Sequence, residues 1–312
     1  METSSSTSNF KRALLRLILP VGGTIVLLCF VVDRLFFTQV ILKNTTAGSY
    51  KTWRMFNETL PDEIPILGSS RAAGSYVSEL IDPKCYNYGI EKTMHTLVSI
   101  FLEEELKKNR TTPIIINWDY EFFRDDKGNI AHFIPSVDQA PIANYIGKDM
   151  RWFYHYPAVR FFNVYDDYVK SYVGERSGSS KISNGGFFVT FSPTPEQFQR
   201  MADVRRKSIF TWEDQPEKQA AWETLLASTQ RSVVLVVAPY HASYYESFRN
   251  MEGAQAYLAK LDALPNVTVL DYGRMAFPDS AYQNTTHVNY SGAVAFSKAL
   301  GSKLKEVVPA GR

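Results

Sequence analysis

The chain has 312 residues, with 34 Lys+Arg against 32 Asp+Glu, 45% hydrophobic and 21% charged residues, which excludes a disordered chain and a fibre. A formal net charge of +2 leaves no basic field for nucleic acid. Two cysteines exclude a disulfide scaffold and a Cys-rich zinc site, and five scattered histidines show no His-Glu-x-x-His spacing.

The N-terminal segment sets the compartment. Residues 1–9 are Ser/Thr-rich and predicted to be disordered, and Lys11, Arg12 and Arg16 follow. Leu17 to Val32 carries no charge, and apolar residues resume at Leu35, Phe36 and Phe37. A membrane helix needs about 17–25 residues, which 13–37 supplies if Arg16 snorkels and Asp33-Arg34 sits at the outer interface. A cleaved signal peptide would also fit the apolar length. No small-x-small cleavage site follows Val32, so an uncleaved anchor is expected. Basic residues before the helix predict a cytoplasmic tail over 1–12 and an extracytoplasmic remainder. That remainder divides into a stem over 38–60 and a domain over 61–312. Six Asn-x-Ser/Thr sequons occur, but two flank His287, where a glycan would obstruct a site. A bacterial cytoplasmic (inner) membrane is therefore the expected context, rather than a glycosylated secretory protein.

Within the domain, Glu63-Ile-Pro-Ile-Leu-Gly68 reads as a buried strand and Cys85-Tyr-Asn-Tyr-Gly-Ile90 as a second one. Met94, Leu97, Val98, Phe101 and Leu102 recur at helical spacing between Thr93 and Asn109. Pro113 to Trp118, Ser232 to Ala238 and Val267 to Asp271 are further strands. Helices are predicted over 195–229, 243–263 and 290–306. Continuous apolar strands alternating with helices imply an α/β domain, a mainly parallel sheet covered on both faces. Residues 121–190, rich in Phe, Tyr and Trp, break the pattern and read as an insertion. It could cover a site, dock a partner, or pack extra helices on the core. Sites in such sheets lie beyond the carboxyl ends of the strands.

Two segments there carry chemistry. In Ile66-Leu-Gly-Ser-Ser-Arg71 a strand runs straight into a serine near a helix start, where backbone N–H groups can stabilise an oxyanion. In Asn284-Thr-Thr-His287-Val-Asn289 a histidine opens the last helix, placed to act as a general base. Each alone is a common loop or cap. Their order along the chain, serine after the first strand and histidine before the last helix, resembles the SGNH (GDSL-like) hydrolase superfamily. Gly68-Ser69-Ser70 resembles its Gly-Asp-Ser block, which makes Ser70 the nucleophile. Asn87-Tyr-Gly89 resembles the second block, whose Gly89 N–H would join the oxyanion hole. Asn117 falls where the third block's asparagine would donate, although Asn117-Trp-Asp119 departs from Gly-x-Asn-Asp. His287 matches the final histidine, and Asn284 stands where the family's Asp-x-x-His has its carboxylate. The resemblance implies a three-layer α/β/α (flavodoxin-like) fold.

The anchor, Gly-Ser-Ser-Arg and the Pro239-Tyr-His241 run look like the membrane-anchored envelope branch. That branch includes proteins resembling the D-alanyl transfer protein of teichoic acid synthesis, and SGNH-like partners of membrane-bound O-acyltransferases. The resemblance implies acyl transfer or deacylation on a cell-envelope polysaccharide, with the glycan or an acylated carrier and a membrane O-acyltransferase as partners. No phosphate-cradling glycine loop occurs, so no cofactor and no metal are expected. Asn284 cannot supply charge, so a Ser-His dyad, a carboxylate from Asp119, Asp271 or Asp279, or a non-catalytic accessory module are all open. Arg71 could face an anionic substrate group or pair with Glu79 or Asp82. His241 could line the cleft, replace His287 as base, or be a loop residue in solvent.

Overall fold

A computed structural model of the protein describes residues 5–124, 132–133, 136–147 and 180–308. Among the described residues, helix α1, Ser5–Gln39, is the one element long and apolar enough to cross a membrane. It begins inside the stretch expected to be disordered. The 38–60 segment contains helical structure. A 3-10 turn, Ile41–Lys43, leads into α2, Gly48–Asn57, whose Tyr50 and Met55 join the main core. The reason is the apolar content of this segment, which buries against the domain instead of standing in solvent.

The central sheet has the order β2-β1-β3-β7-β9, parallel throughout. Its strands are β1 Ile64–Leu67, β2 Cys85–Asn87, β3 Ile114–Asn117, β7 Val233–Val237 and β9 Val267–Asp271. Side chains alternate across it with the two-residue strand period. Leu67, Ile114, Ile116, Val233, Leu235 and Val237 enter one core, and Ile64, Ile66, Ile115, Val234 and Val236 the other. The first is covered by α5 (His95–Leu106), α8 (Pro216–Ala227) and α10 (Met251–Asp262), with Phe101, Trp222 and Leu258 buried there. The second is covered by α3 (Ser70–Ser75), α4 (Ser78–Ile81) and α11 (Tyr290–Val307), through Tyr76, Ile81, Phe296 and Leu300. Each such buried side chain contributes about 1.5–3 kcal/mol. This is the expected α/β/α layering.

Two long predicted helices are each broken in two. The 195–229 region is α7, Pro195–Lys207, then β6, Phe210–Thr211, then α8. The 243–263 region is α9, Ala242–Ser247, then β8, Phe248–Arg249, then α10. The breaks coincide because β6 and β8 pair with each other in parallel. Pro216 opens α8, and Asn250, in the left-handed region, caps α10.

Of the 121–190 insertion, Phe122 and Phe123 are buried against Trp118 and Trp222, which answers to the reading of packed aromatics. Helix α6, Ala140–Ile146, and a hairpin of β4, Ser180–Ser183, and β5, Gly186–Val189, are also described. The aromatic run from Trp152 to Tyr172 lies outside the described residues.

Candidate active site

β1 ends at Leu67, and Gly68 turns the chain with φ +147 into α3. A methyl group at 68 would lie 2.8 Å from Asn117 Cβ and 2.9 Å from Ala72 Cβ. Only glycine combines that backbone with that contact. Gly68→Ala is therefore expected to cost at least about 1–3 kcal/mol. A urea midpoint equal to that of the unsubstituted chain would refute this.

The turn delivers Ser70 to the carboxyl end of β1, as the first residue of α3. Its Oγ lies 2.9 Å from His287 Nε2. The two residues are 217 apart in sequence and meet because β1 and the start of α11 end at one edge of the sheet. Asn289 caps α11, accepting from the Ser291 and Gly292 N–H groups, and this fixes the entry of the His287 segment.

Asn284 decides the tautomer of His287. Its Oδ1 accepts from the backbone N–H groups of Thr286, at 2.9 Å, and His287, at 3.0 Å. Those donors hold the oxygen, rather than the NH2, 3.1 Å from His287 Nδ1. Thr286 Oγ1 donates to the same oxygen and lies 3.0 Å from Nδ1. Two acceptors at Nδ1 put the ring proton there and leave the Nε2 lone pair toward Ser70. That is the tautomer a general base needs. None of Asp119, Asp271 or Asp279 reaches the ring by a hydrogen bond. Asp279 contacts His241 Nε2, Asp271 accepts from Tyr120 and Gly273, and Asp119 is engaged elsewhere.

His287 is half-buried and its pKa is lowered to about 4. Burial is the main cause, and the Arg71 and Arg205 guanidiniums add to it while Asp119 opposes. The imidazole is thus mostly neutral at pH values well above about 4. Between the ordinary value of 6.5 and 4, the unfolded chain takes a proton that the folded one refuses. This residue's contribution to stability therefore falls as pH drops through that window. Asn284→Asp would favour the imidazolium, so the acid limb of any Ser70 reactivity should move up by about one to three pH units. A limb that stays near pH 4 in the variant would contradict this assignment.

Arg71 does not pair with Glu79 or Asp82, nor does it face open solvent. It is 4% exposed, and every guanidinium nitrogen is engaged. Nη1 donates to Asp119 Oδ1 at 2.7 Å, Nε to Thr286 O at 3.1 Å, and Nη2 to Pro239 O at 3.0 Å and to Ala238 O. The guanidinium also lies 3.3 Å from the centre of the Tyr240 ring. One side chain thereby ties together the loops after β1, β3 and β7 and the His287 loop. Ser69, where the family pattern has Asp, donates its hydroxyl to Asp119 Oδ2.

Of the expected oxyanion donors Ser70, Gly89 and Asn117, the last two are turned inward. Gly89 N–H donates to Asn87 Oδ1 at 2.9 Å. Asn117 is buried, its Nδ2 donating to Asp119 Oδ1 at 3.0 Å and its Oδ1 accepting from Tyr76 Oη at 2.9 Å. Buried polar atoms need partners, and these found them within the protein. Gly89 serves packing instead, since a methyl there would lie 2.4 Å from Ala73 N. The N–H of Ser70 itself, first in α3, has no intrahelical acceptor and is the donor left beside the hydroxyl.

His241 caps α9, with Nδ1 2.9 Å from Ser243 Oγ and Nε2 3.3 Å from Asp279 Oδ1. Its ring packs on Phe198 and Tyr282. His287, not His241, is the histidine brought to Ser70. Sequence reading missed Thr286 and the part played by Ser69. No group of three or more metal-ligating side chains occurs among the described residues.

No family model and no curated protein matches the chain. A solved structure from Streptococcus pneumonia, described provisionally as a platelet activating factor, aligns over 94% of this chain and 98% of that one. The identity is 10% and the TM-score 0.37, too low to carry an argument about fold or chemistry.

Proposed function

We propose that the protein is an SGNH-like serine acyltransferase or esterase, acting on O-acyl groups of a cell-envelope polysaccharide. The observation that carries this is the chain Ser70 Oγ, His287 Nε2, His287 Nδ1 and Asn284 Oδ1, with contacts of 2.9 and 3.1 Å. Ser70 Oγ attacks the acyl carbonyl while His287 Nε2 takes its proton. The leaving alcohol regains that proton from Nε2. A glycan hydroxyl or water then attacks the acyl-serine by the reverse proton path. Asn284 orients the ring without supplying charge, so the imidazolium is less stabilised than in a Ser-His-Asp site. The apolar α1 supports a single-pass anchor in a bacterial cytoplasmic membrane, with the N-terminus inside and the domain outside. That placement suits an acyl supply from a membrane-bound O-acyltransferase or an acylated carrier.

A second reading has its own support. Because Gly89 N–H and the Asn117 amide are spent internally, the site could be a catalytically silent accessory module that binds glycan or docks the acyltransferase. A fluorophosphonate probe separates the two. Covalent labelling of the detergent-solubilised chain at Ser70, lost in His287→Ala and kept in His241→Ala, is the expected result. A folded chain that takes up no label would decide for the accessory module.

A further inference from the structure

Beside the dyad runs a groove that the catalytic reading leaves unused. Two cavities, of about 440 and 470 Å³, lie along α7 and share Arg200, Met201 and Asn284 as walls. Among the described residues lining them there are two arginines, Arg200 and Arg205, and no carboxylate. Arg205 is anchored, its Nε donating to Thr285 Oγ1 at 3.2 Å and its guanidinium lying 4.6 Å from the centre of the Phe210 ring. Arg200 is exposed and makes no hydrogen bond or ion pair among the described residues. Phe191, 58% exposed, borders the outer cavity.

Asn284 joins this groove to the dyad. Its Oδ1 is spent on the 286–287 backbone and the His287 ring, while its NH2 makes no hydrogen bond among the described residues. The same side chain thus steadies the base and offers two N–H donors to the cavities it lines. An aspartate here would set a negative charge on a wall that otherwise carries only positive ones.

We infer that this groove binds an anionic chain, with a carboxylate or phosphate group held by the Arg200 guanidinium and the Asn284 amide NH2, and an apolar ring face on Phe191. This rests on the proposed acyl transfer only in taking the bound chain to be the acceptor. The departure from a carboxylate at 284 then has a physical reason: an anionic acceptor passes beside that residue, and like charges that close repel. Guanidinium groups suit such oxyanions because they present paired donors.

The test uses the full chain in detergent, with Ser70→Ala so that no turnover intervenes. Binding of oligogalacturonate, of poly(glycerol phosphate) and of neutral dextran is measured by calorimetry at two salt concentrations. The expected result is salt-sensitive binding of one or both anionic polymers and none of dextran, and the better anionic binder identifies carboxylate or phosphate as the natural group. Arg200→Glu should weaken that binding by about tenfold or more, about 1.4 kcal/mol, since it removes a guanidinium contact and sets a like charge beside the anion. Arg200 is exposed, so this variant tests binding and not folding. In the Ser70 background, Asn284→Asp should raise the KM for an anionic acceptor while moving the acid limb of reactivity upward. A residue that merely props the loop would not produce that split. Equal binding of dextran, or unchanged anion binding in Arg200→Glu, overturns the groove assignment. Failure of Ser70 labelling with anion binding intact would instead overturn the catalytic reading and leave the groove standing.

Discussion

Replacing Arg71 with methionine is expected to destabilise the domain by about 3–5 kcal/mol, the range for breaking a buried ion pair from one side. Asp119 would be left buried with its charge uncompensated. Ser69, Asn117 and Tyr240 would still donate to it, but no cation would replace the guanidinium. The loss extends further, because the guanidinium also satisfies the carbonyls of Ala238, Pro239 and Thr286. Pairing Arg71→Met with Asp119→Leu should recover only the part of the loss due to the uncompensated charge, because the Ser69, Asn117 and Tyr240 donors and the three carbonyls stay unpaired. Urea unfolding followed by tryptophan fluorescence reads both variants. A single substitution costing under about 1 kcal/mol would show that the pair is not the staple its geometry indicates.

His287→Ala is expected to lower ester turnover by about 10²-fold, because a site with Asn in place of Asp has already given up about 10⁴ of the 10⁶ a full triad supplies, with Ser70→Ala similar and the double variant no worse than either. Such non-additivity is the mark of residues acting as a unit. The 2.9 Å contact is their only link, so removing either partner removes the proton path. Asn284→Ala should cost less, because Thr286 Oγ1 still lies 3.0 Å from Nδ1 and can hold the tautomer. Steady-state hydrolysis of a small acetate ester checks all four variants. Turnover within tenfold of the unsubstituted chain in His287→Ala would remove the dyad from the mechanism.

Much of the fold was legible because local pattern dictates it. The runs at 64–67, 114–116 and 233–237 are apolar on both sides, which a doubly covered parallel strand accommodates. Helix boundaries were less legible where a tertiary pairing intervened. β6 and β8 interrupt amphipathic stretches because two short segments distant in sequence meet edge to edge. The burial of part of the 38–60 segment was illegible for a related reason. Whether Tyr50 and Met55 are buried depends on whether a neighbouring helix exposes an apolar face to receive them, and α5 does.

The candidate site divides along the same line. By itself the sequence determined the turn after β1, since Gly68-Ser69-Ser70 follows an apolar strand, and it determined the histidine entering the last helix. Motif order alone brought Ser70 and His287 into one hypothesis. Tertiary structure decided what each polar group does. Arg71 could have met a substrate or a surface acid; strand order puts β3 beside β1, so Asp119 takes it. Gly89 and Asn117 carry the right donors, yet burial obliges them to bond their neighbours. Asn284 reads in sequence as a missing charge; in the folded loop two backbone N–H groups aim its oxygen at the imidazole and leave its NH2 in the groove. Hydrogen-bond partners are settled by which groups lose water together, and that depends on contacts between segments as far apart as Ser70 and His287.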